Sequence, residues 1–361
     1  MKDRLRAVAG LAIGGLLVWL LFRNTDWGEV RAAMSRASVP WLLVSILLIV
    51  LSSFLRTQRW TYIVRTAQPV RYRHMFSATQ IGLLANLLLP ARLGDVVQAA
   101  VLSRLAHVPF SKSISMTALD RVLDLISLLV VILISIGVFE PVDCLIPKET
   151  FGWPITFSAS QMVKVERGVG LMLVVVIAAF VLLYARQAQV LKVLDLSLGW
   201  LSRGIAERAQ RFALDFLHGF RIFRNAMDMA KAVAYSLITW TVSILAMAAM
   251  IQAFHISGPW YSSTVVVMLL AIGISMPAAP GLIGQFQVPV VVALLMLTSA
   301  DDGTAKALSI VGYVIDVVLI VIIGLLCIYI EKLNMSILIP SDIMVKKRFL
   351  FLPSRDDNSE T

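Results

Sequence analysis

Three places in the sequence put ionisable groups inside stretches that are otherwise apolar. Arg92 and Asp95 stand in the run Pro90-Ala91-Arg92-Leu93-Gly94-Asp95, Asp120, Arg121 and Asp124 follow within 113–139, and Asp316 lies within 304–330. An ionised side chain at such a position costs several kcal/mol in lipid, so these groups must face protein or water. Asp120 and Asp124 are four residues apart and share a helix face, and Arg121 reaches Asp124 at a spacing of three. Counted from residue 113, Asp124 is about 16 Å deep, near the centre of a bilayer. Arginine suits phosphate because its planar fork gives two parallel hydrogen bonds, and a helix N-terminus adds a positive dipole end. Arg92 therefore reads as a phosphate ligand, helped by Asn86 and by the backbone N–H groups that open the 93–102 half-helix, with Asp95 orienting the headgroup or the arginine. Arg121 and Asp124 also fit a simple charge lock between neighbouring helices. Two arginines against Asp95, Asp120, Asp124 and Asp316 leave a deficit of two positive charges, which implies a protonated carboxylate or a bound cation.

The elements that hold these groups follow from composition. Of 361 residues, 59% are hydrophobic and 15% charged, against about 45–50% and about 25% in soluble domains, which excludes an ordinary soluble enzyme. Uncharged runs at 7–22, 37–55, 168–185 and 232–254, with the aspartate-bearing 113–139 and 304–330, are each close to or above the length a membrane span requires. The run 7–22 follows Lys2, Arg4 and Arg6 like a signal peptide, but ends without a small-residue cleavage site and reads as a retained anchor. Two further apolar stretches are interrupted: 75–102 at Pro90 to Asp95, and 261–300 at Pro277-Ala278-Ala279-Pro280-Gly281. Proline removes a helix hydrogen bond and glycine relaxes the backbone, so each reads as a helical hairpin.

The expected fold is thus an all-α polytopic integral membrane protein of six full spans and two re-entrant or broken hairpins. The first membrane repeat covers 1–139, an outer loop 140–167, the second repeat 168–330 with a basic loop at 186–231, and a tail 331–361. Loops on one side hold 23 Lys and Arg (the N-terminus, 56–73, 103–112, 186–231 and the tail) and the other side 7. The positive-inside rule then makes both termini cytoplasmic. The net charge of +10 is distributed between apolar runs and is read as topology, with no nucleic-acid partner. Cys144 and Cys327, 183 positions apart, suggest neither a disulfide framework nor a thiol metal site.

The two interrupted regions also resemble each other. Pro90 to Asp95 aligns with Pro280-Gly281-Leu282-Ile283-Gly284-Gln285, with proline and glycine four apart in both, and Arg121-Val122-Leu123-Asp124 aligns with Tyr313-Val314-Ile315-Asp316. The interval from Gly94 to Asp124 is 30 residues and that from Gly284 to Asp316 is 32. With the charge count, this predicts an inverted-topology pseudo-repeat whose hairpin backbone turns on Pro90, Gly94, Pro280, Gly281 and Gly284. Inverted repeats with broken helices point to a transporter; an old duplication that now only builds a scaffold is the plainer reading.

The runs Asn86-Leu-Leu-Leu-Pro90-Ala-Arg92-Leu-Gly94-Asp95, Asp120-Arg121-Val-Leu-Asp124 and Pro280-Gly281-Leu-Ile-Gly284 resemble the flippase-like family typified by the transmembrane region of lysylphosphatidylglycerol synthases. The resemblance implies a stand-alone member that lacks the aminoacyl-transferase domain, sits in the bacterial inner membrane and translocates a phosphate-bearing lipid: a phospholipid, an aminoacyl-phospholipid or a polyprenyl-phosphate-linked lipid. It departs from the family at Gln287, where Glu is common, and at Val314 or Asp316, where an arginine is common. No cofactor or metal is expected and no catalytic residue is assigned. The histidines at 74, 107, 218 and 255 form no paired ligand set, and there is no G-x-S-x-G elbow. The alternatives are an accessory protein whose partner is a lipid or envelope biosynthetic enzyme, which the basic, aromatic 186–231 loop would suit, and an intramembrane lipid phosphotransferase.

Overall fold

The computed structural model describes residues 15–16, 18–65, 68–89, 93–136, 144–146, 155–157, 159–185, 226–275 and 280–338. Pro90, Arg92, the 186–225 part of the basic loop and the tail from 339 lie outside them, as does much of the first expected span, of which 15–16 and 18–22 are helical. In chain order the elements are α1 (Trp27–Arg36), α2 (Val39–Val64), α3 (Tyr72–Leu88), α4 (Gly94–Ala106), α5 (Phe110–Ile136), β1 (Cys144–Ile146), β2 (Ile155–Phe157), α6 (Ala159–Ala185), α7 (Ala226–Ala253), α8 (Ser262–Ser275), α9 (Gln287–Leu297) and α10 (Asp302–Ile330). Short 3-10 turns occur at Pro280–Leu282 and Met335–Leu338.

Local chemistry explains the boundaries. The Asp26 carboxylate accepts the Gly28 N–H at 2.7 Å and starts α1 in a stretch that reads as loop from its charges. Pro40 falls in the first turn of α2, where its missing N–H breaks no helix bond. Asp301 caps α10 by accepting from Thr304 N at 2.7 Å, and buried Lys306 pairs with Asp302 one turn back at 2.6 Å. Within the expected outer loop 140–167 of a fold expected to be all-α, β1 and β2 form a small antiparallel ladder, Leu145 opposite Thr156.

Among the described residues, α2, α7 and α10 are long and apolar enough to cross a membrane, and α5 and α6 have 27 residues each. Leu43, Leu47, Leu51 and Phe54 on α2, and Val314, Val318, Ile322 and Leu325 on α10, are exposed at helical spacing. Apolar stripes of that extent fit a lipid-facing surface, and the chain is a helical membrane protein. The largest departure from the sequence reading is α2. Its expected end at residue 55 is extended to Val64, so Arg56 and Arg59 belong to a spanning helix and not to a cytoplasmic loop. Counting uncharged residues stops at Arg56; the fold continues because Arg59, one turn on, has its partners Asp120 and Asp124 inside.

α2 and α7 pack side by side and antiparallel: Ser38 N donates to Ala253 O at 2.8 Å, Ser45 Oγ to Ala246 O at 2.9 Å, and Arg59 reaches Ser236. Two apolar clusters form around this pair. One gathers Trp60 and Ile63 of α2 with residues of α3, α4 and α5 and with Cys327 and Ile328 at the end of α10. The other gathers Met250 and Phe254 with Val266 of α8, residues of α9 and the start of α10. Hairpin α3–α4 thus sits in one cluster, hairpin α8–α9 in the other, and α10 runs through both.

Candidate functional site

The aspartates of α5 converge on a guanidinium of α2 that sequence reasoning placed in a loop, and Asp95 of α4 meets the neighbouring Arg121. Arg59 is fully buried. Its Nε and Nη2 donate to the two oxygens of Asp120 at 2.8 Å each, its Nη1 donates to Asp124 Oδ1 at 2.7 Å and lies 3.4 Å from Ser236 Oγ. A forked pair of this kind is the strongest arrangement a carboxylate and arginine can make, and it satisfies a charge that would otherwise be prohibitive in the interior. The i,i+4 spacing of Asp120 and Asp124 puts both on the face of α5 that meets α2. Arg56, one turn before Arg59, is half-buried and lies in the field of the same two aspartates.

Arg121 is held differently. Its nitrogens lie 3.4 Å from Asp95 Oδ1, 3.7 Å from Asp120 Oδ2 and 3.7 Å from Asp124 Oδ2, and the side chain is 27% exposed. Among the described residues, Arg121 Nε and Asp95 Oδ1 have no aligned hydrogen-bond partner. Every nitrogen of Arg59 is therefore engaged, whereas Arg121 retains donor capacity beside the first turn of α4.

Asn86 and Gly94 close the α3–α4 hairpin. Gly94 N donates to Asn86 Oδ1 at 2.8 Å, so the Asn86 oxygen is spent on the N-terminus of α4. A Cβ on Gly94 would collide with Gly82 O and come within 2.5 Å of Asn86 Cγ, which is why only glycine lets the two helices meet here. The α8–α9 hairpin repeats the device with other residues. Gly284, at φ 80°, donates its N–H to Gln287 Oε1 at 2.8 Å, Gly281 takes φ 85°, and Gly273 lies against Pro289 and the Gln285 carbonyl. Tyr313 Oη donates to Gly281 O at 2.6 Å, tying this turn to α10. Asp316, one turn further along, is not brought into the Arg59 cluster, nor, among the described residues, into any other ion pair or hydrogen bond.

The structure thus unites Asp95, Asp120, Arg121 and Asp124, assigns Asn86 an oxygen contact within the hairpin, leaves Asp316 apart and adds Arg56 and Arg59. The missed pair had a signal: two arginines three apart and two aspartates four apart, each set on one helix face. A second tie lies at the start of α3, where Arg73 donates to Glu331 at 2.9 and 3.2 Å, Ser77 Oγ donates to Glu331 Oε1 at 3.0 Å and His74 stands 3.8 Å away. Chiefly through the Arg73 hydrogen bond, the Glu331 carboxyl is held below the usual carboxylate range.

Residues 7–324 match the family described as the lysylphosphatidylglycerol synthase TM region. A curated relative, glycosyltransferase AglD of Haloferax volcanii, is 22% identical over 334 residues, covering 86% of this chain and 52% of the relative. The chain therefore spans about half the length of that relative.

Proposed function

We propose, from the premise that this chain belongs to the lysylphosphatidylglycerol synthase transmembrane-region family, that it moves an anionic, phosphate-bearing lipid between the leaflets of the bacterial inner membrane. The observation that carries this reading is Arg121. A guanidinium that is partly open, misaligned with its carboxylate neighbours and next to the N-terminus of α4 has the chemistry to take a phosphate. Asp95 extends the same site in this reading and Arg59 holds its floor, while Arg92, outside the described residues, is assigned to it from the sequence motif alone.

The packing supports an inverted repeat. In each half a long helix (α2, α7) precedes a hairpin (α3–α4, α8–α9) and an aspartate-bearing helix (α5, α10), and the two leading helices run antiparallel. On this reading the chain has six spans with both termini cytoplasmic. Moving Arg56 and Arg59 into the membrane lowers the cytoplasmic basic count from 23 but leaves its excess over 7 large. We also propose that the chain performs no chemistry on its lipid, because Asp120 and Asp124 are engaged by Arg59 and are poorly placed to move protons. The likeness to a glycosyltransferase favours a second reading, in which the chain serves such an enzyme acting on a lipid-linked sugar.

Mass spectrometry of the protein purified from native membrane tests the first reading. A phosphate-headed lipid should remain bound and should be reduced about tenfold, or about 1.4 kcal/mol, by Arg121→Ala. A chain that retains only zwitterionic lipid, unchanged by Arg121→Ala, would contradict it. Sugar transfer from an activated donor by the purified chain would favour the second.

A further inference from the structure

One turn beyond Arg59, the seam between α2 and α7 ends in a second constellation. Tyr62 of α2 and Tyr235 of α7 lie with ring centroids 5.5 Å apart and planes tilted by 33°. Each ring has a cation about one turn away on its own helix, since Arg65 follows Tyr62 by three residues and Lys231 precedes Tyr235 by four. Both cations turn to the same ring: the Arg65 guanidinium lies 5.9 Å and the Lys231 ammonium 5.8 Å from the Tyr62 centroid. The two charges, from two different helices, are thus held within about 12 Å of each other. The rings are half-buried and both cations are exposed. Arg59 and Ser236, 3.4 Å apart just inward, pin the seam beneath them.

Position along the helices says what this constellation faces. Tyr62 is about 35 Å along α2 from Val39, and Lys231 about 33 Å along α7 from Ala253, so both lie past a hydrocarbon core of about 30 Å, in a headgroup layer. The stripe that carries Lys231 and Tyr235 continues inward along α7 as Ile238 and Leu245, seven and fourteen residues from Lys231, and the stripe of Tyr62 continues along α2 as Leu51; all three are exposed apolar side chains. A polar head station therefore opens onto apolar tracks that suit acyl chains. A tyrosine ring orients a cation without neutralising it, which leaves the outward N–H donors to be met by oxygens. α2 carries no acidic residue and α7 carries one, Asp228, which the two cations together outweigh. In a headgroup layer the abundant anion is lipid phosphate. A zwitterionic lipid would bring its own cation against Arg65 and Lys231, whereas an anionic one would not.

We propose that Tyr62, Arg65, Lys231 and Tyr235 form a binding site for an anionic phospholipid, its phosphodiester held between the guanidinium and the ammonium and its acyl chains lying along the α2 and α7 stripes. The site is separate from Arg121 and does not depend on the transport reading. Native mass spectrometry of the intact purified chain, titrated with phosphatidylglycerol, tests it. One binding step should weaken about tenfold in Arg65→Gln combined with Lys231→Gln and stay unchanged in Arg121→Ala. Tyr62→Phe should keep that step, and Tyr62→Leu should weaken it about threefold. Phosphatidylcholine should bind at least about tenfold more weakly, and inorganic phosphate should not displace the lipid. Arg71→Gln combined with Lys332→Gln removes two exposed charges from the same end of the molecule and should leave the step unchanged. An equal loss in that control, equal binding of phosphatidylcholine, displacement by inorganic phosphate, or no loss in the Arg65 and Lys231 variant overturns the site. If the step behaves as expected while no leaflet exchange occurs, the transport reading fails and the site stands.

Discussion

Replacing Arg59 by Met should be the most destabilising single change among the arginines, and its size can be worked from the contacts. The substitution keeps the apolar stem and removes three charge-assisted bonds of 2.7–2.8 Å. Hydrogen bonds to charged groups contribute about 1.5–3 kcal/mol each, so their sum is about 5–9 kcal/mol as a ceiling. Asp124 is 17% exposed and recovers some hydration, whereas Asp120 at 1% does not. The expected loss is therefore about 4 kcal/mol, within the range for breaking a buried pair on one side. Arg121→Met should cost about 1 kcal/mol or less, because its contacts at 3.4–3.7 Å are screened. Unfolding by dodecyl sulfate, followed by the fluorescence of tryptophans that include buried Trp60, reads both. Adding Asp120→Asn and Asp124→Asn to Arg59→Met should restore more than half of the loss, since the remaining buried charges are then gone. Equal costs at Arg59 and Arg121, or no recovery in the triple variant, would refute the lock.

Gly94→Ala should cost about 1–3 kcal/mol by forcing α4 off α3, and Asn86→Ala about 1 kcal/mol by removing the cap; cysteine cross-linking between the two helices should report a widened gap only in the former. Tyr313→Phe removes the donor to Gly281 O and should cost about 1 kcal/mol, with faster hydrogen exchange confined to the 280–287 turn. The Arg73–Glu331 tie should depend on acid. The folded Glu331 carboxyl lies below its unfolded value, so its contribution is complete above the ordinary Glu range and is lost as pH falls through the folded value. Hydrogen exchange in the first turn of α3 should therefore accelerate on acidification in the native chain and not in Glu331→Gln.

Broken hairpins were legible because proline and glycine interrupt apolar runs by a mechanism that needs no tertiary partner. The observed α8, α9 and α10 end within three residues of the stretches expected at 261–300 and 304–330, apart from the turn between the hairpin helices. Arg59 was not legible by the same rule, since a charge ends an apolar run unless its partners on α5 are already known. The closures at Asn86 and Gln287 were not legible either: each is a polar side chain whose value depends on how the turn aims a glycine N–H eight residues on or three residues back. The β1–β2 ladder is too short for periodicity to reveal.

The central claim is that this chain carries a phosphate-headed lipid across the bilayer. Its most direct test is leaflet exchange of fluorescent phosphatidylglycerol in phosphatidylcholine vesicles containing the purified chain, read by dithionite quenching of the outer leaflet. The account predicts exchange at least about tenfold above protein-free vesicles, equivalent to about 1.4 kcal/mol of barrier, with most of that gain lost in Arg121→Ala. Exchange no faster than in protein-free vesicles, from a chain whose unfolding profile is intact, would contradict it.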